Sequence, residues 1–158
     1  FALEIRGVAA RRRRAEAAAL LDRLGLGGFV DAYPHEVSGG MAKRVALAQA
    51  LIHAPTLVLL DEPFGALDAF TRAAVEQDLL QLIEQYGSTA LFVTHNLQEA
   101  IALSDRVIVM SARPGRIIGD HRIDLPRPRQ VLDVQYTDGF ARLEQKIWAE
   151  LRDQVVAR

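Results

Sequence analysis

Residues 55–68, Pro-Thr-Leu-Val-Leu-Leu-Asp-Glu-Pro-Phe-Gly-Ala-Leu-Asp, decide the fold. The wholly apolar run at 57–60, with Pro55 before it and Pro63 and Gly65 after it, predicts a short strand buried on both faces of a parallel sheet. Asp61 and Glu62 then stand at the carboxyl end of that strand, the end at which open α/β sheets bind ligands. Two buried acids without partners would be costly there. A magnesium ion bound through Asp61, with Glu62 left to take a proton from an attacking water, would satisfy both groups and is the chemistry of nucleotide hydrolysis.

Working outward, 158 residues, half apolar and a quarter charged, suffice for one globular domain with a real core. The net charge of −1 gives no electrostatic reason to expect nucleic acid, and the four arginines at 11–14 read as a solvated helix face or a local basic patch. Cysteine is absent, which excludes disulfides and thiolate metal sites and fits a reducing compartment. No apolar run approaches the ~18 residues of a membrane span. The start, Phe-Ala-Leu-Glu-Ile-Arg, has neither an initiator methionine nor the order of a signal peptide, as expected of a segment from the middle of a gene.

Helical spacing over 15–24 predicts an amphipathic helix ended by Gly25, Gly27 and Gly28. A second helix is expected over 41–52, with Val45, Ala48 and Ile52 on one face and Ser38 as its N-cap. Gly39 and Gly40 weaken its first turn. They suit either a flexible turn or a helix amino terminus whose bare N–H groups and serine hydroxyl bind a phosphate. After the acid pair, Gly65-Ala66-Leu67-Asp68 is a turn whose last residue caps a helix over 69–86, with Gly87 as its stop. A second buried strand at 90–93 delivers Thr94 and His95 to the same sheet edge as Asp61 and Glu62, favouring a role for His95 at the same ligand. Asn96 caps a short helix through Leu103, and a third strand follows at 106–110. Ile117 and Ile118 begin an antiparallel return strand, Pro126 and Pro128 interrupt regular structure, and a helix is expected over 138–155. That helix carries Phe140, Leu143, Ile147 and Leu151 on one face, with Trp148 beside them in the core. Strand, helix and strand in this order make an α/β domain.

Val37-Ser38-Gly39-Gly40-Met41, the strand ending in Asp61 and Glu62, the turn at 65–68, and His95 together resemble the ATP-binding cassette (ABC) ATPases. They match, in order, the signature loop, the Walker B strand with its catalytic glutamate, the D-loop and the switch histidine. Tyr33-Pro34-His35, Pro63-Phe64-Gly65 and Ser111-Ala112-Arg113-Pro114-Gly115-Arg116 are similar to importer subunits for nitrate, sulfonate or taurine. The resemblance implies a RecA-like, P-loop NTPase sheet flanked by helices, with a signature helical subdomain at 1–54, part of the catalytic core at 55–111 and a return strand and helix at 112–158. It further implies ATP and Mg2+ as cofactors, with Asp61 holding the metal through water and Glu62 deprotonating the attacking water. His95 would contact the γ-phosphate, and Asp68 would cross a dimer interface. Ser38, Gly39, Gly40 and Met41 would face the nucleotide held by the partner. Expected partners are a second copy, a transmembrane permease and, indirectly, a periplasmic or lipoprotein substrate-binding protein. Nucleic acid is not among them, and the location implied is peripheral, on the cytoplasmic face of the cell membrane.

A phosphate-cradling GxxxxGK[ST] loop needs lysine after glycine, yet Lys43 follows Ala42 and Lys146 follows Gln145. In the folds this chain resembles, that loop lies amino-terminal to this segment, and its strand lies between the second and third strands expected here. The resemblance therefore implies a fold incomplete at its amino terminus, with an empty lane between those two strands. Met41 stands where many members have glutamine, and Asn96 where aspartate often follows the histidine. The alternatives are an ABC ATPase of DNA repair or translation, for which a basic surface or coiled-coil insertions would be expected, and a catalytically inert remnant.

Overall fold

The computed structural model describes residues 2–65 and 67–156, and side chains as far as 152. Ala66, within the expected D-loop turn, and residues 1, 157 and 158 of the expected domain lie outside the described residues. The chain divides into two compact units, 1–91 and 92–158.

In the first unit, α1 (Ala2–Ile5) and α2 (Ala10–Arg23) precede two 3-10 turns at Gly27–Phe29 and Pro34–Glu36. Helix α2 begins five residues before the expected start, because the arginines join it. Three of them are tied by ion pairs to acids, Arg12 to Glu16, Arg13 to Glu4 and Arg14 to Asp31, which makes the run a solvated helix face. Helix α3 (Gly39–Leu51) buries Leu47, Ala48 and Leu51 rather than the expected stripe of Val45, Ala48 and Ile52. Strand β1 (Leu57–Asp61) leads through a turn into α4 (Ala69–Tyr86), which ends as expected at Gly87 in the left-handed conformation, φ 62°. Glycine has no Cβ to oppose that conformation.

Strand β2 (Thr89–Val93) pairs in parallel with β1, beginning with the Thr89 N–H donated to the Thr56 carbonyl at 2.9 Å. The expected burial on both faces is not found. Val58 and Leu60 are buried, but Leu57 is 54 % exposed, Leu59 69 % and Leu91 60 %. The apolar composition fitted a sheet covered on both sides, whereas the described chain covers only one side of β1.

The second unit carries α5 (Leu97–Leu103), β3 (Arg106–Met110), β4 (Ile117–Arg122), α6 (Val131–Val134) and α7 (Asp138–Val156). Strands β3 and β4 form the expected antiparallel hairpin, in register from Arg106 opposite Arg122 to a bulge between Val109 and Met110. Ser111 closes the hairpin: its N–H donates to the Arg116 carbonyl at 2.8 Å and its Oγ accepts from the Arg116 N–H at 2.9 Å. Among the described residues no ladder joins β2 to β3, which belong to different two-stranded sheets. Helix α7 buries Phe140 and Ile147 as expected, whereas Trp148 is 57 % exposed. Being the next residue along from Ile147, it is turned about 100° from the buried stripe.

Arg129 organises the loop after β4. Its side chain is 1 % exposed. One guanidinium nitrogen donates to the carbonyl of Ser104 at 2.6 Å, while the other donates to those of Ile123 and Leu125 at 3.2 and 3.1 Å and to Asp105 at 3.3 Å. A cation thus meets the negative end of α5 and satisfies carbonyls that the helix and the Pro-interrupted loop leave unpaired. Arg129→Met, which keeps the stem and removes every donor, is expected to destabilise the chain by roughly 3 kcal/mol, since several buried acceptors lose a charged donor at once. Urea unfolding followed by circular dichroism checks this; a variant as stable as the parent would show that these bonds contribute nothing net.

Candidate functional site

In the first unit the expected site residues occupy two settings. One is the start of α3. Ser38 is its N-cap, with extended backbone, and its hydroxyl accepts from the Met41 N–H at 3.3 Å. Gly39 and Gly40 are the first helical residues, and they differ. A Cβ on Gly39 would meet nothing within 4 Å, whereas one on Gly40 would run into Thr71 Cγ2. Thr71 lies in the first turn of α4. Gly40 is therefore needed for helix packing, and Gly39 leaves the backbone open for a ligand to approach.

Asp68 caps α4 as expected, its carboxylate accepting from the N–H groups of Phe70 at 3.1 Å and Thr71 at 3.0 Å. Hydrogen bonds from the Thr71 side chain and then from these backbone groups hold the Asp68 carboxyl below its ordinary 3.8. The ionised cap therefore stabilises the folded chain at pH above 3.8, and that contribution is lost as pH falls through the lowered folded value. The Gly40–Thr71 approach thus brings the capped amino termini of α3 and α4 side by side.

The second setting is the end of β1. Asp61 is its last residue and is exposed; Glu62 follows, half-buried. Glu62 has φ of 44°, in the left-handed region that a residue with a side chain seldom enters. The chain turns there: Gly65 N–H donates to the Glu62 carbonyl at 3.3 Å, and Phe64, 1 % exposed, pins the turn into the core. Backbone held in a sparsely populated conformation clusters at working sites, where it re-aims a side chain. Asp61 supplies a hard oxygen of the kind Mg2+ takes singly, together with phosphate oxygens and water.

In the second unit His95 is exposed, two residues beyond the end of β2. Asn96 caps α5 as expected, its Oδ1 accepting from the N–H groups of Gln98 and Glu99 at 3.0 and 3.3 Å. A residue the sequence reasoning passed over is Glu99, which is 7 % exposed and hydrogen-bonded to both chain neighbours of His95. The spacing Asn-x-x-Glu, a capping-box pattern, was the signal that could have found it.

Gly40→Ala is expected to cost about 1–3 kcal/mol by forcing its methyl against Thr71. Thr71→Ser removes the obstructing Cγ2 while keeping the hydroxyl that Asp68 uses, so the double variant should regain most of the loss. Denaturant unfolding of the two single variants and the double forms the cycle; strictly additive effects would mean that Thr71 is not what excludes a side chain at position 40.

The family model described as ABC transporter matches residues 3–65. The chain is 44 % identical over 156 residues to an uncharacterized ABC transporter ATP-binding protein of Methanocaldococcus jannaschii, covering 99 % of this chain and 57 % of that protein. It is 48 % identical to an aliphatic sulfonates import ATP-binding protein of Bacillus cereus, over 77 % of this chain and 47 % of that protein. With a nitrate import ATP-binding protein of Synechococcus elongatus it shares 42 % identity over 98 % of its own length and 24 % of that protein's. The chain thus spans at most 57 % of these relatives. The family match and these relatives, one of them similar over nearly the whole of this chain, support placing it among the ABC transporter ATP-binding proteins.

Proposed function

We propose that this chain is the signature and catalytic part of the ATP-hydrolysing subunit of an ABC importer, which drives uptake of a small anion such as nitrate, a sulfonate or taurine through a membrane permease. The observation that carries this is the acid pair at the end of β1, with its turned backbone at Glu62, in a chain whose relatives carry the names of nitrate and sulfonate import proteins. Asp61 holds Mg2+, whose charge would neutralise the phosphate oxygens of bound ATP. Glu62 orients the attacking water and accepts its proton, and His95 donates to the γ-phosphate.

Ser38, Gly39 and Gly40, with Met41 completing the first turn of α3, face the nucleotide of a second, identical subunit. Asp68 reaches across the same interface. The open backbone at Gly39 and the adjacent helix amino termini support that role. ATP closes the pair of subunits and hydrolysis reopens it. Residues 1–54 serve as the signature subdomain, 55–111 as part of the catalytic core, and 112–158 as its carboxyl-terminal extension. No helix of the described residues is long and apolar enough to cross a membrane. We place the subunit peripherally, on the cytoplasmic face beneath the permease, which receives its substrate from a periplasmic or lipoprotein binding protein. A phosphate-cradling glycine-lysine loop is absent from these 158 residues, so activity is to be measured in the longer protein that supplies one.

In that protein Glu62→Gln should lower ATP turnover by about 100-fold or more with nucleotide binding retained, because glutamine keeps the shape but cannot take the proton. Dimers formed with ATP should accumulate, since reopening needs hydrolysis. Phosphate release and size-exclusion chromatography with ATP measure both. Parental turnover in the variant would remove Glu62 from the mechanism, and the 158-residue chain alone should release no phosphate above buffer.

A further inference from the structure

The environment of His95 contains a device that its role as a γ-phosphate contact does not by itself require. Glu99 lies one helical turn beyond His95, in the first turn of α5, and is 7 % exposed. Its two carboxylate oxygens are divided between the residues on either side of the histidine. Oε2 accepts from the Thr94 hydroxyl at 2.8 Å, and Oε1 accepts from the Asn96 side-chain amide at 3.1 Å. The Asn96 N–H in turn donates to Thr94 Oγ1 at 3.0 Å, bridging the two flanks over His95. In a simple capping box the glutamate would return to the N-cap N–H. Here that N–H is taken by Thr94, and the carboxylate is used instead to hold Thr94 and Asn96 to each other.

The consequence is geometric. His95 is exposed, and no strand ladder extends to it, since β2 ends at Val93. Backbone freedom in such a position is ordinarily large, and a ligand contact made from it would have to order the residue on each binding event. With both neighbours fastened to one buried carboxylate, the backbone carrying the imidazole is fixed before any nucleotide arrives. Asn96 is suited to this arrangement because its amide can donate to Glu99, which a second carboxylate could not do without a proton.

We propose that Glu99 is a positioning residue for ATP hydrolysis, acting through Thr94 and Asn96 to hold His95 in place for the γ-phosphate. This rests on the assignment of His95 made above. Glu99 touches neither nucleotide nor water in this role, so its loss should appear in turnover rather than in affinity.

The test uses the full-length ATPase, with steady-state kcat and KM for ATP measured on Glu99→Ala, Glu99→Gln, Thr94→Val, His95→Ala and the His95→Ala/Glu99→Ala double variant. Glu99→Ala should lower kcat by about 10- to 100-fold with KM changed less than about twofold, as expected for lost preorganisation. Glu99→Gln should recover much of it, because its carbonyl can accept from Asn96 while its amide donates to Thr94 Oγ1. Thr94→Val, which leaves the cap of α5 intact, should show a smaller loss of the same kind. In the double variant, Glu99→Ala should have no further effect once His95 is gone.

An equal factor with and without His95, or unchanged turnover per folded molecule in Glu99→Ala, would overturn the positioning role and leave that of His95 standing. Parental turnover in His95→Ala alone would overturn the assignment of His95, and this proposal with it.

Discussion

The first unit depends on how closely α3 and α4 approach each other. At the amino-terminal end the approach is permitted by the missing side chain of Gly40 against Thr71. Further along, Arg44 of α3 lies 3.1 Å from Asp78 of α4, an ion pair without hydrogen-bond alignment, and Arg44 also donates to the Leu24 carbonyl that follows α2. Burial raises the Asp78 carboxyl above its ordinary value, opposed by the charge of Arg44. A raised acid binds more protons in the folded chain than in the unfolded one, so this group on its own favours the fold less as pH climbs through that range. Half-buried charge is therefore a weak source of stability here, and the buried Val75, Leu79 and Leu82 stripe of α4 supplies apolar burial to the unit.

That geometry sets what the caps can do. Ser38 and Asp68 each satisfy their own helix, yet the two helices begin beside one another, so two positive dipole ends share a face. Such an arrangement is repulsive in isolation and is eased by negative charge. Asp68 supplies part of that charge within the chain, and the phosphates of a nucleotide would supply more.

Much of this was legible in the sequence, because it was written in short-range chemistry. Turn residues on both sides of an apolar run located β1, a second short apolar run located β2, capping residues located the starts of α3, α4 and α5, and Gly87 located the end of α4. Long-range information was not legible. Whether Leu57 and Leu59 are covered depends on what packs against them, and composition reports only that they would favour cover. Trp148 failed for the same reason, since one position on a helix separates a buried face from an exposed one. Gly40 read as half of a Gly-Gly pair weakening the first turn of a helix, and the structure shows that its neighbour is Thr71, some thirty residues away in the chain. Arg129 and Glu99 escaped notice because a charged residue in a sequence is by default a surface residue, and only the coordinates show the carbonyls or hydroxyls converging on it.

The left-handed backbone at Glu62 sets two selective demands against each other at a single codon. The role proposed for Glu62 favours a carboxylate on a long arm, while conformation favours glycine or asparagine, which enter that region at lower cost. A screen for thermal tolerance alone would drift toward those two residues and, on the role proposed for Glu62, would enrich molecules that fold better at the expense of turnover. Retention of glutamate at this position in a library selected for both stability and turnover, together with its loss from one selected for stability alone, would be the signature of that proposed role, legible without a single rate measurement.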